Sequence, residues 1–167
     1  IRRQRVVWMA LGSVFSGCLA LETQPKLSEV KAVLDLLKNE YPDQKVYVSF
    51  TLQNAETISE GTKLADAAKA VAQYDQVIGV GVNCIPPRLV TPAIKKLKEA
   101  TALPIIVYPN SGASYDATTK TWSAAPAEDD FGKLTKEWLL AGDSAIGGCC
   151  TTTPADIAKI AAVLNDQ

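Results

Sequence analysis

From Cys18 to Leu164 the sequence alternates five times between a short apolar run and a longer amphipathic stretch. This alternation constrains the fold more than any other feature. The apolar runs are Cys18–Leu21, Val46–Phe50, Val77–Val82, Ile105–Tyr108 and Ser144–Ile146. The stretches between them carry apolar residues at helical steps of three and four: Leu27, Val30, Leu34 and Leu37; Leu64, Ala68, Val71 and Tyr74; Ile94 and Leu97; Phe131, Leu134 and Trp138; Ile157, Ile160, Ala161 and Leu164. Thr62 and Thr91 read as N-caps, the latter followed by Pro92, and Thr153-Pro154-Ala155-Asp156 reads as a capping box with proline at the first helical position. Unbroken strand–helix alternation predicts a parallel sheet covered by helices, and strands read as apolar throughout are expected when both faces are covered. No linker or low-complexity break interrupts residues 1–167, which are read as a single domain.

The turn after the first strand, Glu22-Thr23-Gln24-Pro25, lacks the glycines of a nucleotide-binding doubly wound sheet. Chemistry-bearing residues fall instead at strand C-terminal ends: Glu22, Asn83, Cys84, Asn110, Cys149 and Cys150. That placement belongs to a (β/α)8 barrel, which needs eight strands and about 250 residues. The fold expected is α/β, a partial (β/α)8 barrel made of its last five strand–helix units, N-terminally truncated.

Residues 1–17 form an atypical leader. Arg2, Arg3 and Arg5 precede an apolar run from Val6 to Leu21, short for a membrane span of about 20 residues. A signal peptide with a lipoprotein-like Phe15-Ser16-Gly17-Cys18 site is one reading; a helix leading into a buried strand is preferred, because the strand fits the pattern that follows.

Composition narrows the chemistry. The 17 Lys and Arg nearly balance the 18 Asp and Glu, which gives no electrostatic footprint for nucleic acid. The chain has no His, so imidazole acid–base chemistry, Ser-His-Asp triads and His-ligated metals are excluded. The four cysteines read as thiols or thiolate ligands in a reducing, cytoplasmic compartment, with no membrane partner. Cys18 fits a small buried apolar residue. Cys84 and the Cys149-Cys150 pair end the third and fifth strands, and a barrel rim brings such ends together. Three thiolates suit Zn2+ and leave a fourth position open, as in a catalytic zinc site that holds a substrate thiol ionised. Cys84 alone also has a plain reading as a buried small residue, whereas adjacent cysteines after Gly147-Gly148 at a strand end fit that reading much less well. Glu22 reads as a carboxylate for a substrate ammonium, as a solvated rim charge, or as a helix N-terminal acid stabilised by the helix dipole. Asn83 and Asn110 orient substrate or satisfy loop backbone. The Tyr115–Trp122 stretch reads as a lid or a surface loop.

Gly-Val-Asn-Cys (81–84), Val-Tyr-Pro-Asn-Ser-Gly (107–112) and Gly-Gly-Cys-Cys-Thr-Thr-Thr-Pro-Ala-Asp-Ile (147–157) resemble the zinc-dependent homocysteine S-methyltransferases, as does Glu-Thr-Gln-Pro (22–25). The branch using S-methylmethionine or S-adenosylmethionine is the more similar. The resemblance covers about residues 18–165 and implies zinc held by Cys84, Cys149 and Cys150. It implies a homocysteine thiolate held at that zinc, which takes the donor's methyl group to give methionine. It also implies that Glu22 binds the homocysteine amino group. Gly17 stands where the family leads one to expect Asp, and three leading strand–helix units are missing. The alternative is an inactive, zinc-binding remnant of such an enzyme.

Overall fold

The computed structural model describes residues 6–8, 17–124, 126 and 130–166. One parallel sheet carries the fold. Its strands are β1 (Val6–Trp8), β2 (Cys18–Gln24), β3 (Lys45–Phe50), β4 (Val77–Asn83), β5 (Ile105–Tyr108) and β8 (Ala145–Gly147), in the spatial order β1-β8-β5-β4-β3-β2. The helices are α1 (Leu27–Glu40), α2 (Leu64–Val71), α3 (Val90–Ala100), α4 (Phe131–Ala141) and α5 (Pro154–Asn165). Five consecutive strand–helix units therefore stand as the alternation predicts, forming part of a (β/α)8 barrel.

The strands are less uniformly apolar than the sequence suggests. Successive side chains of a strand point to opposite faces. Val46, Val48 and Phe50, then Val80 and Val82, Ile105 and Val107, and Ile146 all belong to the main core with the helix residues Leu34, Ile94, Leu97, Trp138 and Ile160. Tyr47, Ile106, Tyr108 and Ala145 form a separate cluster on the other face, with Cys18 and Cys149 packed against it. That second, concave face also carries Ser49, Gly81 and Asn83, by the same alternation. Gly81 is obligatory: a Cβ there would lie 1.7 Å from the carbonyl oxygen of Ile106 on the neighbouring strand.

Several local expectations are corrected. Val6–Trp8 is not helical; it pairs in parallel with Ala145–Gly147 at one edge of the sheet. The rest of the expected leader helix, like the proposed Phe15-Ser16 processing site, lies outside the described residues. β2 is not a buried strand: among the described residues it forms the other edge and pairs only with β3, and Leu19 is 44% exposed. α2 begins after Lys63, and Thr62 bonds Glu60 instead of capping it. Tyr74 falls beyond the helix and donates to Asp35 at 2.7 Å. α3 starts at Val90, ahead of Thr91, because a short 3-10 turn at Pro87–Leu89 leads into it. The capping box of α5 forms as expected, with Thr153 and Asp156 exchanging bonds. Asp130 caps α4, accepting from Gly132 and Lys133, and Gly142 ends it with φ 105°, a left-handed conformation that suits glycine.

Residues 115–122 form a small hairpin, β6 (Tyr115–Asp116) with β7 (Thr121–Trp122), where the sequence reads as a lid or a surface loop. Tyr115 and Trp122 are cross-strand partners with ring centroids 5.1 Å apart, a pairing that accounts for the hairpin itself. Among the described residues no helix is long and apolar enough to cross a membrane.

Candidate metal centre

β5 explains how cysteines 65 positions apart reach one place. It lies between β4 and β8 in the sheet, and its last residue and the segment leaving it bond to the backbone of all three cysteines. Cys84 donates its N–H to Tyr108 (3.2 Å), Cys149 donates to Pro109 (2.8 Å), and Ser111 donates to Cys150 (3.2 Å). Ser111 and Thr151 add a hydroxyl–hydroxyl bond of 2.6 Å. Cys84 and Thr151 take positive φ values of 54° and 65°, uncommon for residues with a Cβ, and the lattice of bonds around them holds that conformation. Gly148 allows the turn to close, since a Cβ there would come within 2.4 Å of the Thr152 hydroxyl, which is itself bonded to the Cys149 carbonyl.

The three sulfurs form a triangle. Cys84 Sγ lies 3.2 Å from Cys149 Sγ and 3.3 Å from Cys150 Sγ, and Cys149 and Cys150 are 4.0 Å apart. All three cysteines are free. A disulfide would require about 2.0 Å. Three sulfurs each about 2.3 Å from one tetrahedral ion stand about 3.8 Å apart, so the observed edges suit a shared metal. Among the described residues this is the only group of three or more His, Cys, Asp or Glu side chains placed to hold an ion. Cys150 is exposed and the other two are half-buried, which leaves an approach from solvent.

Proximity splits the thiols electrostatically. The Cys149 thiol is pulled down to about 6, chiefly by its hydrogen bond with Cys84, with further help from Cys150 and the Asn83 amide. The Cys84 thiol is pushed up, first by the same bond to Cys149 and then by burial. Within the cluster Cys149 is therefore the thiol that gives up its proton most readily. Cys18 stands apart at the start of β2, where burial raises its thiol, in keeping with a small apolar role.

Glu22 and Asn83 meet on the same concave face. Asn83 is buried, and its side-chain oxygen accepts from the Thr23 N–H (2.9 Å) and the Ser49 hydroxyl (2.7 Å). Its amide donates to the Thr23 hydroxyl at 2.7 Å. Asn83 therefore fastens the turn that follows Glu22, where Thr23 has φ 55°. Glu22 is exposed, and one of its oxygens accepts from the Tyr47 hydroxyl at 2.8 Å. Asn110, buried, turns its side-chain oxygen back to the Gly112 N–H at 2.9 Å, so that oxygen serves its own loop. Tyr47, Ser49 and Tyr108 were not singled out by sequence. Their signal lay in the alternation within Val46–Phe50 and Ile105–Tyr108, where a hydroxyl-bearing residue follows an aliphatic one.

The profile of the homocysteine S-methyltransferase family matches residues 7–164. A homocysteine S-methyltransferase of Bacillus subtilis is 43% identical over 153 residues, covering 92% of this chain and 48% of that protein. One from Escherichia coli is 44% identical over 154 residues, covering 92% and 49%. The apo crystal structure of the Escherichia coli homocysteine methyltransferase MmuM superposes with a TM-score of 0.74 at 39% identity, covering 89% of this chain and 50% of that one. A metallated form of the same enzyme gives the same TM-score. The chain spans about half the length of the curated relatives it matches. With the match running through nearly every described strand and helix, the chain belongs to the homocysteine S-methyltransferase family.

Proposed function

We propose that the protein to which this chain belongs transfers a methyl group from a sulfonium donor, S-methylmethionine or S-adenosylmethionine, to the sulfur of homocysteine, yielding methionine. The observation that carries this reading is the sulfur triangle of Cys84, Cys149 and Cys150, open on one side to solvent. These residues would hold Zn2+, and a metallated form is known for the Escherichia coli relative. Bound zinc would supply a positive centre that favours the ionised, nucleophilic form of an incoming thiol. Cys149, whose thiol is lowered chiefly by its bond with Cys84, is the ligand most easily ionised for such a cation. Glu22 would take the ammonium group of homocysteine. Asn83 would act by fixing the Glu22–Thr23 turn, and Asn110 by shaping the loop that lashes the cysteines together. In the transfer itself the homocysteine sulfur forms a bond to the methyl carbon as the donor's sulfur–methyl bond breaks. That bonding pair stays with the donor sulfur, which becomes a neutral thioether. Free thiols support a reducing, cytoplasmic setting.

A second reading for these residues taken alone, a zinc-holding remnant without turnover, rests on their spanning about half the length of the relatives they match. Zinc-loaded chain is incubated with homocysteine and S-methylmethionine or S-adenosylmethionine, and methionine is measured by mass spectrometry. Catalytic production of methionine supports the transferase. Zinc binding without methionine, both alone and when the chain is joined to the preceding units of a relative, contradicts it and leaves the remnant.

A further inference from the structure

We propose that Tyr47 is a positioning residue for amino-acid recognition: it locks one oxygen of the Glu22 carboxylate and leaves the other to face a substrate ammonium. The proposal rests on the ammonium-binding role given to Glu22 above and goes beyond it by naming what holds that carboxylate.

The register of the sheet creates the pair. Ala20 of β2 is the partner of Tyr47 on β3, and Glu22 lies two residues further on, where the register shifts between Leu21 and Gln24 and the side chain reaches the Tyr47 phenol. Diagonal neighbours of this kind are within reach of a long side chain. The phenol donates to Glu22 Oε1 at 2.8 Å. Tyr47 is 2% exposed, while Glu22 lies in solvent, so a rigid donor grips a carboxylate that would otherwise sample several rotamers. The ring packs with Ile106, Tyr108 and Ala145, which fixes its own rotamer. Burial, followed by the neighbouring carboxylate, pushes the phenol above its ordinary range, so it remains a donor throughout the physiological window. Asn83 secures the backbone on the other side of Glu22 through Thr23, and Asn83 directly precedes Cys84. The carboxylate is thus held at its tip by β3 and at its base by the strand that carries a sulfur ligand. An immobilised carboxylate at a set distance from the sulfur triangle selects thiols that also bear an amino group.

The test compares binding of homocysteine with that of 4-mercaptobutanoate, the same thiol acid without its amino group, to the zinc-loaded protein by titration calorimetry. Wild type is expected to prefer homocysteine. Tyr47→Phe, which keeps the buried ring, should reduce that preference about three- to tenfold, the cost of ordering one freed side chain on binding. Affinity for 4-mercaptobutanoate and zinc content should not change, which reports an intact fold and metal centre. Glu22→Gln should abolish the preference, and adding Tyr47→Phe to it should have no further effect. A Tyr47→Phe protein with the wild-type preference, or one weakened equally toward both thiols, overturns the role of Tyr47 while leaving the proposed function standing. Wild type that binds both thiols equally refutes the ammonium role of Glu22 and this inference with it. Wild type that binds neither thiol refutes the proposed function itself.

Discussion

The two faces of the sheet are built on different principles. The helix-facing side is filled by Val46, Val48, Phe50, Val80, Val82, Ile105, Val107 and Ile146, all essentially inaccessible and packed against helix side chains. The concave side mixes Ile106 and Ala145 with two tyrosines, Ser49, Asn83, a glycine and cysteines, and its polar members are organised by directed bonds. Bulk and area hold the first face. Hydrogen bonds, backbone turns and the sulfur triangle define the second. Stability and chemistry are therefore separable by strand parity, one residue apart along the same chain.

Substitutions on each face test that separation. The largest effect is expected from Trp138→Ala on the helix side. Trp138 is fully buried and meets Phe131 edge-on at 5.7 Å between centroids. Its truncation should cost about 3–5 kcal/mol in urea unfolding. Zinc content per folded molecule should stay at the wild-type level; its loss in molecules that remain folded would show that the faces are coupled.

Gly148→Ala probes the concave side. The new methyl group meets the Thr152 hydroxyl and displaces the turn that presents Cys149 and Cys150. Zinc affinity should fall about tenfold, since a displaced ligand weakens a metal site much as a lost supporting bond does. Urea midpoints of the metal-free protein should move far less than for Trp138→Ala. A large loss of stability with unaltered zinc affinity would reverse the assignment of this loop.

The smallest effect is set at the periphery, where Asp130 caps α4 and pairs with Lys159 of α5 at 2.8 Å. That lysine first, and the capped N–H groups with it, hold the Asp130 carboxyl below its usual range. The stability it contributes is complete above the unfolded value of about 3.9 and is lost as pH falls through the lower folded value. Asp130→Asn keeps a capping oxygen and removes the ion pair. Wild type should show a small advantage over it in urea midpoint at pH 6, vanishing at strongly acid pH. An advantage that grows on acidification would contradict the sign.

Much of this was legible in sequence because it is encoded locally. Apolar periodicity located five strands and their helices, and Thr153 with Asp156 marked the start of α5. The three cysteines and Glu22 stood out because each follows closely on an apolar run of the sequence, although β2 continues past Glu22 to Gln24. What escaped is encoded by register and by neighbours distant in the chain. Tyr47 looks like one more apolar strand residue until its pairing with Ala20 sets it diagonally from Glu22. The role of Asn83 in holding Thr23 spans 60 residues. Val6–Trp8 pairs with the last strand of the sheet, and nothing in its local composition points to that partner.

The central claim is that Cys84, Cys149 and Cys150 together hold one metal ion, and X-ray absorption at the zinc edge tests it most directly. One zinc per chain is expected with three sulfur neighbours at about 2.3 Å, and Cys149→Ser should remove one sulfur from that shell. A shell dominated by oxygen, or a sulfur count indifferent to Cys149→Ser, would contradict it.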